Sequence, residues 1–299
     1  MGQFLGRFEM ENQYYYNQIM DLHGFEKIKL LIKKWQNVSK NLNMIGNMPV
    51  ILPNLLWINK PGMGKSYFLR LFSEYLAESN LMSFSGKSKW MEFSLNYFSD
   101  EQDFTDLRRL MREMAAKTGY RNVFKGVVSI ELNQWIGHFE TNHFKRLMAF
   151  LSENDNDLCI VFSLENAAKD EIAGLERVLA QYLRIETIIS EYPSIDEFYI
   201  YISDWLSEYD LTIADEAEIL LKKSIAILRE NDSFDGFKTL NLMCEDIVFE
   251  VCASINFKKT RILDIDDLKQ YSENGTFIAK LREMSRKRKI GFGQIGGDE

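Results

Sequence analysis

Proline is almost missing from this sequence, with four in 299 residues, and glycine is held to 17. So little of either argues against long disordered linkers and for a helix-rich fold. Only three cysteines occur, Cys159, Cys244 and Cys252, an odd number at wide spacing with no C-x-x-C pair. Neither a zinc site nor a disulfide framework follows from them, and Cys159, inside an apolar run, reads as a core residue. No apolar run approaches the roughly 18–20 residues that a membrane span needs. The first ten residues, "MGQFLGRFEM", are too short in their apolar part for a signal peptide, and a Met-Gly start wants Ser or Thr where Gly6 stands before it reads as a myristoylation site. A cytoplasmic, reducing location is expected by elimination. Positive charge is also short: the formal net charge is -8, which disfavours a general nucleic-acid partner and gives no sign of a membrane one. His23, His138 and His143 show no metal-ligand spacing and read as structural.

What is present is hydrophobic: 46% of residues, enough for one large domain or two small ones. Residues 21–42 carry Phe25, Ile28, Leu31, Ile32 and Trp35 at helical spacing. "LLWI" at 55–58 reads as a short buried strand, and Phe68, Leu71, Phe72, Tyr75 and Leu76 then recur at i, i+3, i+4, i+7 and i+8. Between strand and helix stands "NKPGMGKS", residues 59–66. It fits the phosphate-binding loop G-x-x-x-x-G-K-S/T except that Asn59 replaces the first glycine. Strand, glycine loop and amphipathic helix are the context such a loop requires. Gly62 and Gly64 let the backbone approach a phosphate closely, Lys65 would reach the β/γ oxygens, and the Ser66 hydroxyl would ligate Mg²⁺. Asn is the non-glycine residue best able to take positive φ, so Asn59 is tolerable.

Further strands are expected at 90–94, 127–130, 158–162 and 185–189, separated by helical stretches that include 104–117 and 141–153. That alternation predicts a parallel five-stranded sheet with helices on its faces. After about residue 195 the strand signal stops. Phe198, Ile202 and Trp205 form one helical stripe, Leu221, Ile225 and Leu228 a second, Leu240, Cys244, Ile247 and Val251 a third, and Asp264 caps a fourth helix. The expected organisation is a variable lead-in over 1–20, an α/β nucleotide-binding domain over 21–193, a small all-helical lid over 194–271, and a basic tail over 272–299 with its charge at Arg286 to Lys289. That basic run reads as a solvated end, or as a docking segment for an acidic partner.

In this order the segments resemble an AAA+ ATPase, in particular the CbxX / stage V sporulation protein K group. "INKPGMGKSYFLRLFSEYLAESNLM" resembles that family's strand-loop-helix, "DLHGFEKIKLLI" its entry helix, "LSENDNDLCIVFSLEN" the approach to its sensor-1 strand, and "FDGFKTLNLMCEDIVFEV" the lid helix with the second sensor. The likeness runs from about residue 20 to about residue 271, and only the loop motif is specific by itself.

The resemblance implies ATP and Mg²⁺ as ligands, held by Asn59, Lys60, Pro61, Gly62, Met63, Gly64, Lys65, Ser66 and Tyr67, with Ser66 and Glu131 at the metal. It also implies an Asp-Glu pair closing the Walker B strand, and here "GVVSIELNQW" offers Glu131 and then Leu132. A leucine can neither accept a proton nor orient water, and losing a general base costs about 10²–10⁴ in rate. Leu132→Glu is expected to restore a carboxylate. With the register shifted by one, Glu131 becomes the base and Ile130 takes the metal side; if instead "CIVFSLEN" is the Walker B strand, Glu165 is its acid. Sensor 1 falls on Ser163 or Asn166. Lys238 stands in for the sensor-2 arginine, with the charge kept and the planar fork lost. The arginine finger falls on Arg184 or Arg177. The pore-loop region "NYFSDEQDFTD" has Tyr97, Phe98 and Phe104 but no glycine and is acidic, which argues against threading an ordinary polypeptide.

The expected function is an ATP-binding AAA+ subunit that hydrolyses slowly or not at all and serves as a nucleotide-gated assembly or regulatory component. Its partners would be a protein client or a more intact paralogue, in a homo- or hetero-oligomer that could be a ring. Two alternatives stand beside it: an active remodelling ATPase, and an interaction module that has lost its nucleotide.

Overall fold

The computed structural model describes residues 13–45, 52–84, 89–94, 125–153, 158–253, 261–272, 275–281 and 283. The expected helix at 104–117, the aromatics Tyr97, Phe98 and Phe104, and the basic run at Arg286 to Lys289 lie outside them.

Buried parallel strands are apolar on both faces and so read as continuous apolar runs. The five runs expected as strands are β1 (Asn54–Asn59), β2 (Trp90–Ser94), β3 (Gly126–Glu131), β4 (Leu158–Glu165) and β5 (Ile185–Ile189). They form one sheet in the order β2-β3-β4-β1-β5, with every pairing parallel. Parallel neighbours need crossovers, and helices supply those that lie among the described residues.

In this α/β unit, α1 (Tyr14–Met20) and α2 (Glu26–Ile45) precede β1, and α3 (Lys65–Glu78) follows it. α4 (Asn142–Glu153) and α5 (Lys169–Leu179) flank β4. The expected stripes of α2 and α3 are all buried. Phe25, Ile28, Leu31, Ile32 and Trp35 meet Phe68, Phe72 and Tyr75 over one face of the sheet, on Leu55, Trp57, Val127, Cys159 and Val161. Ile58, Ile130, Phe162 and Leu164 point to the other face, under Phe144 and Leu147 of α4 and Leu175 of α5. Part of the lead-in is ordered: the backbone N–H groups of Tyr14 and Tyr15 donate to the two Glu78 carboxylate oxygens at 3.0 and 3.1 Å, which caps α1.

A second compact unit comprises Tyr192–Glu299 together with Pro61–Met63. Its helices are α6 (Ile195–Ser207), α7 (Asp215–Arg229), α8 (Gly236–Ala253) and the single turn α9 (Ile265–Leu268). Ser194 caps α6 by accepting from the Glu197 N–H at 3.2 Å, and Asp264 caps α9 by accepting from the Asp266 and Asp267 N–H groups. The three stripes pack into one core, although Leu206 occupies the fully buried place expected of Trp205, whose ring stacks on Tyr209 at 4.8 Å. The expectation that strands stop near residue 195 is corrected. β6 (Leu211–Ile213) and β7 (Arg261–Leu263) pair in parallel in this unit. Three residues each are too few to show a period in the sequence.

Candidate functional site

The site is built by alternation. In a strand successive side chains point to opposite faces, so residues two apart share one. Glu92 lies opposite Ser129, Glu131 opposite Ser163, and Ser163 and Glu165 opposite Trp57 and Asn59. One face of the sheet, the one α3 covers, therefore gathers Glu92, Ser129, Glu131, Ser163, Glu165 and Asn59 from four neighbouring strands.

The loop leads from β1 into α3. Gly62 (φ 67°) and Gly64 (φ 76°) are both left-handed, which explains glycine at those two positions. Asn59 is different. It ends β1 with φ outside the left-handed region, so the expected reason for glycine there does not arise. Asn59 is buried, its Nδ2 donates to the Lys60 carbonyl at 3.2 Å, and its buried Oδ1 has no hydrogen-bond partner among the described residues.

Lys65 and Ser66 open α3, whose first turn carries no acidic residue. A helix N-terminus left clear in this way presents orphan N–H groups and a positive dipole end. Lys65 Nζ donates to Ser163 Oγ at 3.2 Å and lies 3.6 Å from Glu92 Oε1. Ser66 is exposed. Exposed Tyr67 has the Arg70 guanidinium over its ring at 4.9 Å. Lys60 Nζ lies 3.3 Å from Asn166 Oδ1 and 3.8 Å from Glu191 Oε2, and Asn166 is itself left-handed at φ 53°.

No family model matches this sequence, and no curated protein matches it. Solved structures do. The AAA domain of FIGL-1 superposes with a TM-score of 0.50 at 12% identity, over 90% of this chain and 88% of that one. A point mutant of Thermotoga maritima RuvB reaches a TM-score of 0.49 at 15% identity, over 85% of this chain and 71% of that one. Hsp104, in a closed state with ATPγS and FITC casein, reaches 0.44 at 11% identity, over 86% of this chain and 45% of that one. The fold is that of an AAA domain.

Within this AAA fold, Glu131 closes β3 and Glu165 closes β4, adjacent strands of the sheet. Asn133 joins them. Its Nδ2 donates to Glu131 Oε1 at 3.0 Å, and its Oδ1 accepts from the Glu165 backbone N–H at 2.8 Å. Sequence reasoning passed over Asn133, because no motif calls for it. Leu132 lies apart from these groups. It is fully buried among the apolar residues that include Ile130, Phe162 and Leu164, while its N–H donates to the Ser163 carbonyl at 2.9 Å. The expectation that glutamate at 132 would restore a site carboxylate is therefore corrected: that side chain would enter the core. Ile130 also belongs to this opposite face, so the reading shifted by one residue does not bring it to the metal side.

Arg184 is exposed and directly precedes β5, its carbonyl accepting from the Asn54 N–H at the start of β1. That is the end of a parallel sheet away from the loop, which follows the end of β1. Arg177, on α5, is exposed and 3.5 Å from Glu140.

In the second unit, Met63 is buried in the helical core, and the Gly62 carbonyl accepts from the Phe237 N–H at 3.0 Å. The Tyr192 hydroxyl donates to the Pro61 carbonyl at 3.2 Å. A Cβ on Gly62 would fall 1.7 Å from the Asp235 carbonyl oxygen, and one on Gly236 would fall 2.8 Å from that of Pro61. Lys238 is exposed and pairs with Asp235 at 3.2 Å. Among the described residues, no group of three or more His, Cys, Asp or Glu could by itself hold a metal ion, and no helix is long and apolar enough to cross a membrane. The His143 ring packs edge-to-face on Trp135 at 5.3 Å.

Proposed function

We propose that this chain is an AAA+ ATP-binding protein, of the kind represented by the CbxX / stage V sporulation protein K group, that holds ATP–Mg²⁺ and turns it over slowly or not at all. One observation carries the proposal: the loop lysine and the helix N-terminus are in place, while the position expected to supply the water-orienting carboxylate, Leu132, is buried in the core. A Cβ on Gly64 would meet nothing within 4 Å, so that side of the turn beside Lys65 is open. Backbone N–H groups of Gly64 to Ser66 would bind its oxygens, and Lys65 would balance their charge. The described residues offer no protein-only cage for Mg²⁺. The ion would enter with the phosphates, its protein contacts coming from Ser66 and Glu131. When bound, it would shield the phosphate charge and fix its geometry.

Glu131, held by Asn133, supplies one carboxylate. Glu165 on the neighbouring strand favours a second reading, an active remodelling ATPase with Glu165 as its water-orienting base. Under either reading the chain is a cytoplasmic subunit of a homo- or hetero-oligomer, with Arg184 or Arg177 of one copy reaching the nucleotide of the next. The ring form, the protein client and the more intact paralogue belong to the same proposal.

A thermal-shift titration with ATP, ADP and a non-hydrolysable ATP analogue, each with and without Mg²⁺, tests it. At about 100 times Kd the nucleotide should add about 2.7 kcal/mol of stability, and Lys65→Ala should remove most of that. No shift with any adenine nucleotide at millimolar levels would leave the interaction-module reading in its place. A phosphate-release assay separates the other two, since Glu165→Gln abolishes turnover only in an active enzyme.

A further inference from the structure

β2 is the short strand "WMEFS", in which Met91 and Phe93 are core residues and Glu92 between them points to the other face. The register with Ser129 puts Glu92 on the face of the sheet that carries the phosphate loop's lysine. Its Oε1 lies 3.6 Å from Lys65 Nζ, with the two side chains 32% and 18% exposed. Lys65 has one other polar contact among the described residues, the neutral Ser163 hydroxyl. The ammonium that the loop offers to a polyphosphate thus faces a carboxylate from a strand that the loop motif does not include.

We propose that Glu92 sets the affinity of the site: it holds the Lys65 charge while no nucleotide is bound, and a polyphosphate binds by drawing that ammonium away from it. The proposal rests on the reading that the loop takes nucleotide phosphates. Two effects act in the same direction. Binding breaks an ion pair whose lysine is mostly buried and whose glutamate is partly exposed, and it brings several negative charges toward a carboxylate that stays nearby. Half-screened charges at this separation change an equilibrium by about an order of magnitude. Mg²⁺ on the phosphates weakens the repulsion, so the penalty should be larger for free ATP than for ATP–Mg²⁺. Glu92 therefore makes occupancy depend on nucleotide concentration and on the divalent ion, where an unopposed lysine would be filled at lower levels.

The test is calorimetric titration of the full chain with ATP, with and without Mg²⁺, for the wild type, Glu92→Gln, Lys65→Met and the double variant. Glu92→Gln should bind ATP–Mg²⁺ about tenfold more tightly, with a larger gain for free ATP, and the gain should shrink to less than about threefold in the Lys65→Met background. Binding by Glu92→Gln where the wild type is too weak to measure also supports the proposal. It is overturned if the wild type binds measurably and Glu92→Gln, at an equal melting temperature, binds no more tightly. It is overturned equally if the gain persists undiminished without Lys65. A wild type and a Glu92→Gln variant that both fail to bind overturn the nucleotide reading itself, and this proposal with it.

Discussion

Leu132→Glu discriminates sharply between a loop-side and a core-side Leu132. Leu132 is fully buried with Ile130, Phe162 and Leu164. Removing its apolar burial costs roughly 2–3 kcal/mol. A carboxylate in such surroundings has its pKa raised by up to about 3–5 units, a further cost that reaches about 4 kcal/mol at pH 7 and about 4–7 kcal/mol only once the pH passes the folded value. The sum is comparable with the whole stability of a typical domain, about 5–15 kcal/mol. The sign with pH is fixed. A folded-state pKa above the unfolded value of about 4.3 means that the ionisation penalty is absent below that pH and grows by about 1.4 kcal/mol per unit as pH rises toward the folded value. Urea melts followed by circular dichroism at pH 5 and pH 8 should therefore show a variant that is weak at pH 5 and mostly unfolded at pH 8. Leu132→Ala is the control, losing about 2–5 kcal/mol with no such pH dependence. A Leu132→Glu protein with wild-type midpoints at both pH values and faster phosphate release would show that residue 132 faces the nucleotide, and would refute the core placement.

Asn133→Ala should cost about 1–3 kcal/mol, because it unpairs the partly buried Glu165 N–H; urea melts measure that, and any residual phosphate release should fall as Glu131 loses its hold. Gly62→Ala forces a Cβ to within 1.7 Å of the Asp235 carbonyl oxygen at φ 67°, so it should lower the melting temperature by several degrees, whereas Gly174→Ala, with open space around it, should not. Burial pushes the Cys244 thiol up to about 12, which keeps it neutral at pH 8. Native alkylation at that pH should label exposed Cys252 and spare buried Cys244 and Cys159, as mass spectrometry of the peptides would show; rapid labelling of Cys244 would contradict the helical core.

The strands were legible because buried parallel strands are apolar on both faces. β4 is legible only as far as residue 162, because Ser163 and Glu165 interrupt the apolar run where the strand enters the site. The polar residues that the site needs are the ones that hid its edge. The loop was legible from its motif. What the sequence could not convey depends on register and strand order. Whether Leu132 turns toward a phosphate or into the core is decided by how β3 ends against β4. The nearness of Glu92 to Lys65 follows only once α3 is laid across the sheet. Glu92 did leave a trace, a lone charge at the alternate position of a strand with core residues on both sides. Asn133 left none, since an asparagine after a strand usually reads as an ordinary turn residue.

The central claim is that ATP is held and not cut. Its most direct measurement is a single-turnover experiment: excess protein mixed with trace labelled ATP–Mg²⁺, the protein-bound fraction recovered over an hour, and its ATP and ADP separated. Label retained by the wild type, lost with Lys65→Ala, and still almost wholly ATP at the end is the predicted result. Label recovered as ADP within seconds, or no label retained by the wild type at all, would contradict it.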